Sequence, residues 1–145
     1  MDDRIGGLVD QARVATLATI SESGAPHLVP VVFARTGSNV VTAVDGKPKK
    51  GPSLARIQNI VHDPRVTLLV HHYEEDWSRL WWVRIDGQAS LVQDGEAFQA
   101  ALAALSKRYP QYEFVDLSGP VISIRIERTT AWGDSLNGPS SRPIP

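Results

Sequence analysis

The chain has 145 residues and a mass of 15.9 kDa, which suits one ordinary domain and is too small for two. Its 15 basic and 16 acidic residues give a formal net charge of −1, so the overall charge favours neither a nucleic acid nor an anionic membrane as a partner. The absence of cysteine excludes disulfide scaffolds, thiolate catalysis and cysteine-containing metal sites. No signal peptide or membrane-spanning segment is recognisable, so a cytoplasmic location is expected.

The first third of the chain predicts one short helix and three strands. Apolar residues recur at helical spacing between Ile5 and Ala12, after two aspartates that can cap a helix. Two β-rich runs, at 14–20 and 27–34, flank a polar turn and predict a hairpin, and a third run at 40–44 follows a second turn. Because no crossover helix fits between these strands, we expect them to be antiparallel.

The rest of the chain predicts two helices and three more strands. These elements are a helix from near Pro52 to the Asp63-Pro64 pair, a strand at 66–73, a long strand from Ser78 to about Val92 with a bulge near Gly87, an alanine-rich helix at 95–108 and a last strand at 121–126. Six antiparallel strands with flanking helices favour a mainly β fold, closed into a small barrel. Residues 1–132 are expected to form this domain, and residues 133–145 a tail that is loose unless a partner subunit holds it.

No set of side chains suited to catalysis is recognisable. The sequence lacks a Gly-x-Ser-x-Gly elbow, a Walker-type phosphate loop and a Gly-x-Gly-x-x-Gly fingerprint. His71 and His72 are adjacent on a predicted strand and therefore point to opposite faces, which argues against a shared metal ion. We predict no catalytic side chain and no metal site, so that in an enzyme the difficult chemistry would belong to a cofactor.

A basic segment is the strongest candidate for an anion site. Lys47, Lys49 and Lys50 lie just before the second predicted helix, whose N-terminal N–H groups and dipole favour negative charge. Arg56, with Asn59 near it, can add further donors. This arrangement predicts a phosphate site, and the alternative is a solvated basic loop.

Three of the four tryptophans fall in one short segment. Trp81 and Trp82 are adjacent on a predicted strand, so their rings face opposite sides and cannot both fill a barrel interior. One is expected in the core, and the other against a helix, a partner subunit or a flat ligand. Together with Arg79 they are candidate substrate-binding residues, with core packing plus a dimer contact as the alternative.

Six short blocks of sequence, in this order, resemble those of one known superfamily. The blocks are Val14–Ile20, Gly24-x-Pro26-His27-Leu28-Val29-Pro30-Val31, Lys47-Pro48-Lys49, Asn59-Ile60-x-x-Asp63-Pro64-Arg65-Val66, Asp76-Trp77-x-x-Leu80-Trp81-Trp82-Val83 and the strand that carries Gly87. They are similar to the pyridoxamine-phosphate-oxidase-like, flavin-binding split-barrel superfamily and, within it, to the F420-dependent actinobacterial group. The resemblance covers residues from about Ile5 to Trp132.

The resemblance implies a homodimer of six-stranded antiparallel split β-barrels with two equivalent sites at the subunit interface. It also implies coenzyme F420 in place of flavin mononucleotide (FMN). Carried over by position, the residues that would hold the cofactor phosphate are Lys47, Lys49, Lys50, Arg56 and Asn59. Those that would line the deazaflavin ring are Val29, Pro30, Val31, Thr42, Ala43 and Val44. Trp77, contributed by the other subunit, would cover the cofactor or its acidic tail.

Three functions follow as hypotheses. The first is an F420H2-dependent reductase that transfers a hydride to a conjugated double bond of an aromatic or polycyclic small molecule, such as a tetracycline-type biosynthetic intermediate. The second is a non-catalytic F420-binding or carrier protein. The third is an FMN-dependent enzyme, including one that oxidises pyridoxamine phosphate. The tail beyond Trp132 is a candidate for a segment that lies across a neighbouring active site.

Overall fold

The structure is a computed structural model that describes residues 1–44 and 54–137. Its helices are α1 (Asp3–Gln11), α2 (Ala55–His62), α3 (Gly95–Arg108) and the single turn α4 (Asp134–Asn137), with short 3-10 helices at Trp77–Arg79 and Pro110–Phe114. Its strands are β1 (Ala15–Ile20), β2 (Pro26–Val31), β3 (Ala34–Thr36), β4 (Asn39–Ala43), β5 (Arg65–His72), β6 (Trp81–Val92) and β7 (Val121–Gly133). The start of the second predicted helix and residues 138–145 of the predicted tail lie outside the described residues.

The seven strands form one antiparallel sheet in the order β2-β1-β5-β6-β7-β4-β3. β2 and β3 lie at the two opposite ends of this order, although only Val32 and Phe33 separate them in the chain. A link of two residues cannot span an open seven-stranded sheet, because neighbouring strands are about 4.8 Å apart. The sheet must therefore curl until its two edges meet at Val32–Phe33, which we call the seam. The predicted mainly β, antiparallel split barrel is confirmed.

The strand count differs from the prediction at the seam. The β-rich run at 27–34 was expected to form a single strand, but β2 ends at Val31 and a separate three-residue strand begins at Ala34. Phe33 breaks the run because its side chain is fully buried and its backbone is bonded to the side chain of a tyrosine distant in sequence. Apolar composition alone does not reveal such a break, since both halves of the run suit a strand.

The core has two parts. The barrel interior is filled by alternate side chains of the strands, as in β1, where Ala15, Leu17 and Thr19 are buried and the residues between them are not. A second cluster lies between α3 and the β3–β4 hairpin and includes Phe98, Leu105 and other buried residues. Helix α3 has the predicted bounds, and its buried residues follow helical spacing.

Helix α1 is held against the barrel by an arginine from β3. Asp2 caps the helix by accepting a hydrogen bond from the N–H of Arg4, as predicted. The Arg35 guanidinium donates to both carboxylate oxygens of Asp10, at 2.8 and 2.7 Å. Gly6 leaves room for this arginine, because a Cβ at that position would lie 3.0 Å from Arg35 Nη2. Glycine weakens a helix, yet here it allows the ion pair to form beneath it.

The Asp10–Arg35 pair is expected to make the stability of the protein depend on acid pH. The hydrogen bond from Arg35 lowers the pKa of Asp10 below its usual 3.8. The contribution of a carboxylate with a lowered folded-state pKa is complete above the unfolded value and is lost as pH falls through the folded one. Because nearly half of the Asp10 side chain is exposed, Asp10→Asn should cost no more than about 1 kcal/mol near neutral pH. Urea denaturation at several pH values should show this cost shrink as the pH falls below 3.8; a cost that did not shrink there would contradict the assignment.

Strands β6 and β7 form the longest pair in the sheet. Their register shifts between Asp86 and Gly87, which confirms the predicted bulge. β7 runs to Gly133, well beyond the predicted end at Ile126, because residues 128–133 pair with the first half of β6. β6 begins at Trp81 and not at Ser78, since Asp76 caps a 3-10 turn by accepting a hydrogen bond from the N–H of Ser78 at 3.1 Å. Within the described part of the chain, no helix is long and apolar enough to cross a membrane.

Candidate functional site

A cavity of about 440 Å³ opens beside the seam, where β2, β4, α2 and the segment after α3 come together. Five of the predicted cofactor-binding residues line it: Pro30, Val31, Thr42, Ala43 and Arg56. They come from three elements that are far apart in sequence, and the antiparallel barrel brings them together. Val29 and Val44, which were predicted beside them, instead pack against the barrel core.

Arg56 is the cationic group of this cavity. Its side chain is half-buried and forms no hydrogen bond or ion pair with any residue that the structure describes. Burial lowers the pKa of Arg56, but a guanidinium titrates so far above neutral pH that the group stays charged. A half-buried, unpaired cation is costly unless an anion joins it. The cavity is therefore chemically suited to a ligand with an apolar ring and an anionic group such as phosphate.

The predicted lysines Lys47, Lys49 and Lys50 lie outside the described residues. In the sequence they fall between Ala43 and Arg56, which both line the cavity. Their role in binding a phosphate stays a prediction.

Asn59 of α2 faces the barrel and is not among the cavity residues. The residue is buried, and its side-chain Nδ2 donates a hydrogen bond to Oγ1 of Thr19, which is also buried, at 3.0 Å. This bond joins α2 to β1 and satisfies two polar groups inside the protein. It accounts for the burial of a polar side chain next to Ile60, on the face that α2 presents to the barrel. A contact between Asn59 and phosphate stays a prediction.

Asn59→Ala is expected to destabilise the fold. The substitution leaves the buried Thr19 hydroxyl without its partner, which should lower the free energy of unfolding by about 1–3 kcal/mol. Denaturation of Asn59→Ala, Thr19→Ala and the double variant tests the pair, because the two costs should not add if the residues act through one bond. Additive costs, or a loss of cofactor affinity at unchanged stability, would contradict this role.

The tryptophan pair on β6 is divided between the two faces of the sheet, as the alternation predicts. Trp81 is 8% exposed, belongs to the barrel core and stacks on His72 with ring centroids 6.1 Å apart. Trp82 is half-buried and lies directly opposite Trp132 of β7. The residues that line an outer cavity of about 540 Å³ are Thr16, Ala18, Leu28, Thr67, Leu69, His71, His72, Tyr73, Leu80, Trp81, Trp82, Arg84 and Trp132.

Trp77 and Arg79 lie on the connection between β5 and β6, away from the Arg56 cavity of the same chain. Trp77 is 58% exposed, and its indole N–H donates to the hydroxyl of Tyr73 at 3.3 Å. Arg79 is exposed and pairs with Glu74, with Nε 3.3 Å from Oε1. Neither side chain lines the Arg56 cavity of its own chain, and their predicted ligand contacts stay predictions.

Sequence reasoning missed one wall of the cavity. Tyr109, Gln111, Tyr112 and Val115 line it from the end of α3 and the 3-10 helix that follows. The one local signal is the Tyr109-Pro110 pair, which ends a helix without indicating a ligand. Across residues 1–44 and 54–137, no three histidine, aspartate or glutamate side chains come close enough to hold a metal ion.

The strand order and the curled sheet with its seam define a split-barrel protein, with a cavity lined mainly by apolar groups and one arginine. A family model described as pyridoxamine 5'-phosphate oxidase matches residues 1–133. The chain therefore belongs to the pyridoxamine 5'-phosphate oxidase family. No curated protein sequence matches the chain at a significant level.

Solved structures from several bacteria share this fold. The conserved hypothetical protein Rv2991 from Mycobacterium tuberculosis is 22% identical with a TM-score of 0.77, covering 100% of this chain and 92% of that one. A heme-binding protein from Mycobacterium smegmatis is 24% identical with a TM-score of 0.73, covering 89% of this chain and 52% of that one. The heme storage protein HutZ from Vibrio cholerae is 15% identical with a TM-score of 0.70, covering 91% and 93%. At these identities the likeness shows the fold alone.

Proposed function

We propose that the protein is an F420H2-dependent reductase, which transfers a hydride from the reduced deazaflavin to a conjugated double bond of an aromatic or polycyclic small molecule. The observation that carries the proposal is Arg56, a half-buried cation with no partner among residues 1–44 and 54–137, at a cavity whose other walls include Pro30, Val31 and Ala43. This combination fits a cofactor with a flat ring and a phosphate. The sequence blocks that resemble the F420-dependent group support F420 over FMN.

The residues of the cavity would bind and orient the cofactor. Arg56 would hold its phosphate, with Lys47, Lys49 and Lys50 as the proposed further donors. Pro30, Val31, Thr42 and Ala43 would lie along the ring and exclude water from it. When bound, the reduced deazaflavin supplies the hydride. Such a reaction depends on close approach and a dry site more than on a side-chain base, which agrees with a cavity built mainly from apolar groups.

The outer face of the barrel supports the proposed homodimer. Leu28 is 67% exposed, and with Leu69, Trp82 and Trp132 it lines an apolar surface that is unusual on a monomer. The buried indole N–H of Trp82 has no partner within the described chain. A second subunit on this face would cover the apolar side chains and would bring Trp77 and Arg79 toward a partner's site. There Trp77 would cover the cofactor, and Trp82 and Arg79 would contact substrate, whereas Trp81 is buried in the barrel core.

Cofactor titration is the first test of this proposal. The purified protein is titrated separately with F420, FMN and heme, following ligand fluorescence or absorbance. We expect saturable F420 binding at one site per subunit and weaker FMN binding. F420H2 is then offered with a panel of enones and polycyclic quinoids, and its oxidation is followed by absorbance. We expect at least one acceptor to be reduced.

Each alternative gives a different result in this experiment. Tight FMN binding without F420 affinity would replace the proposal with an FMN-dependent enzyme. F420 binding without turnover of any acceptor would indicate a carrier protein. Heme binding with neither flavin-type ligand would extend to this chain the property that the names of two similar structures report for those proteins.

A further inference from the structure

The phenol of Tyr109 lies across the seam of the barrel. This residue directly follows α3 and is 5% exposed. Its hydroxyl oxygen accepts a hydrogen bond from the N–H of Phe33 at 3.2 Å. The hydroxyl also lies 2.9 Å from the carbonyl oxygen of Phe33 and 3.0 Å from that of Arg13, and it can donate to one of them at a time.

Phe33 needs these bonds because it belongs to neither edge strand. Strand pairing ends at Val31 on β2 and resumes at Ala34 on β3. A buried backbone N–H or C=O without a partner is costly, and a strand neighbour would normally supply one. Here the Tyr109 hydroxyl accepts from the N–H of Phe33 and can donate to its carbonyl, and so takes the place of the missing strand neighbour. A phenylalanine of the same shape could not do this.

The position of the phenol is itself strongly restrained. Nε of Arg108 donates to the Tyr109 hydroxyl at 2.9 Å, and the Arg13 guanidinium carbon lies 4.5 Å from the centroid of the Tyr109 ring. The Arg108 guanidinium carbon also lies 4.9 Å from the centroid of the Phe33 ring. Two cation–π contacts and a charged donor therefore hold Tyr109 and Phe33 together.

The same tyrosine lines the Arg56 cavity. Tyr109 and Tyr112 form part of one wall, and Val31 and Val32, immediately before Phe33, form part of another. The rings of Tyr109 and Tyr112 meet edge to face, with centroids 6.1 Å apart. Fixing Phe33 to Tyr109 thus sets the distance between the β2 wall and the wall that follows α3.

We infer that Tyr109 is a positioning residue for the bound cofactor. Its hydroxyl bonds to Phe33 at the seam and so fixes the spacing between the β2 wall and the wall that follows α3, which would bind a flat ring between them. The inference rests on the proposed function for the identity of the ligand. It rests on the hydrogen bonds at Phe33 for the mechanism. Tyr109 acts through Phe33 and the β2 wall, and it need not touch the reacting atoms.

The test compares Tyr109→Phe with Ile85→Val. The first removes the hydroxyl and keeps the ring. The second shortens Ile85, a fully buried side chain of the barrel interior that does not line the cavity, by one methylene group. Amide hydrogen exchange by NMR should show Phe33 exchanging at least about tenfold faster in Tyr109→Phe, and the Kd for F420 or FMN should rise about tenfold. Ile85→Val should lower the melting temperature without changing either quantity, which separates positioning from general stability.

Several results would overturn the inference. These are an unchanged exchange rate at Phe33, an unchanged Kd in Tyr109→Phe, or an equal rise of Kd in both variants. If Tyr109→Phe does not fold, the same question is tested with the wild-type protein. If a fixed seam favours cofactor binding, cofactor binding must in turn favour the fixed seam and slow amide exchange there. FMN or F420 should then slow exchange at Phe33, and no slowing would overturn the inference. Failure of the wild-type protein to bind either cofactor would refute the proposed function, while the exchange rates would still decide whether Tyr109 holds the seam.

Discussion

Replacing Arg56 with alanine is expected to weaken binding of the cofactor by about 10- to 150-fold, the equivalent of about 1.5–3 kcal/mol for a lost charged hydrogen bond. The reason is that Arg56 is half-buried at the cavity and has no partner within the described chain, so its charge is available to an anion. Removing it should leave the stability unchanged or slightly raised, because an unpaired, partly desolvated cation does not stabilise the fold. Isothermal titration with F420 and with FMN measures the first effect, and thermal denaturation measures the second.

Two further variants sharpen this experiment. Arg56→Lys keeps the charge but loses the planar fork that suits phosphate, so its affinity should lie between those of the wild type and Arg56→Ala. Arg4→Ala removes an exposed arginine of α1 that does not line the cavity, and it should bind the cofactor like the wild type. Equal loss in Arg4→Ala would point to a general electrostatic effect. Full affinity in Arg56→Ala would show that the phosphate lies elsewhere.

Replacing Gly87 with alanine is expected to cause the largest loss of stability. A Cβ at this position would lie 2.2 Å from the backbone oxygen of Arg125 and 2.9 Å from Cγ2 of Ile124. The backbone of β7 cannot move away without breaking its pairing with β6 at the bulge. We expect a loss of about 3 kcal/mol, and a melting temperature lower by roughly 10 °C, measured by calorimetry or circular dichroism.

Gly7→Ala provides the matched control for this prediction. Gly7 lies in α1, and a Cβ there would meet nothing within 4 Å. Alanine has the higher helix propensity and restricts the unfolded chain, so this variant should gain about 0.5–1 kcal/mol. The two glycine substitutions should therefore change stability in opposite directions. A stable Gly87→Ala variant would mean that the two strands are further apart at the bulge than the structure shows.

Local patterns in the sequence predicted several elements well. The bounds of α3, the bulge at Gly87 and the opposite facing of Trp81 and Trp82 all follow from periodicity or from one residue type. These features depend on interactions within a few residues or on the alternation of a strand, so a short window of sequence contains the necessary information. The residues predicted to line a cofactor ring, Pro30, Val31, Thr42 and Ala43, came instead from the resemblance to a family, and the structure brings them together at one cavity.

Other features depended on contacts between distant residues. The break of the strand at Phe33 is decided by Tyr109, 76 residues further along the chain, and the extension of β7 to Gly133 is decided by pairing with β6. The hydrogen bond between Asn59 and Thr19 likewise joins residues 40 positions apart in the chain. No local pattern marks these pairs, because each residue type suits several environments until its partner is known.

By itself, the sequence determined that this chain has a mainly β fold without cysteine chemistry, with alternating strands and one strong helix. Hydrophobic periodicity and composition carry that information because they depend on neighbouring residues alone. Only the tertiary structure decided where the sheet closes, which polar side chains hold it, and that Arg56 lines the cavity without a partner among the residues that the structure describes. Those properties depend on which distant segments meet. The curled sheet brings β2, β4 and the end of α3 together beside the seam, and these elements form the walls of the cavity.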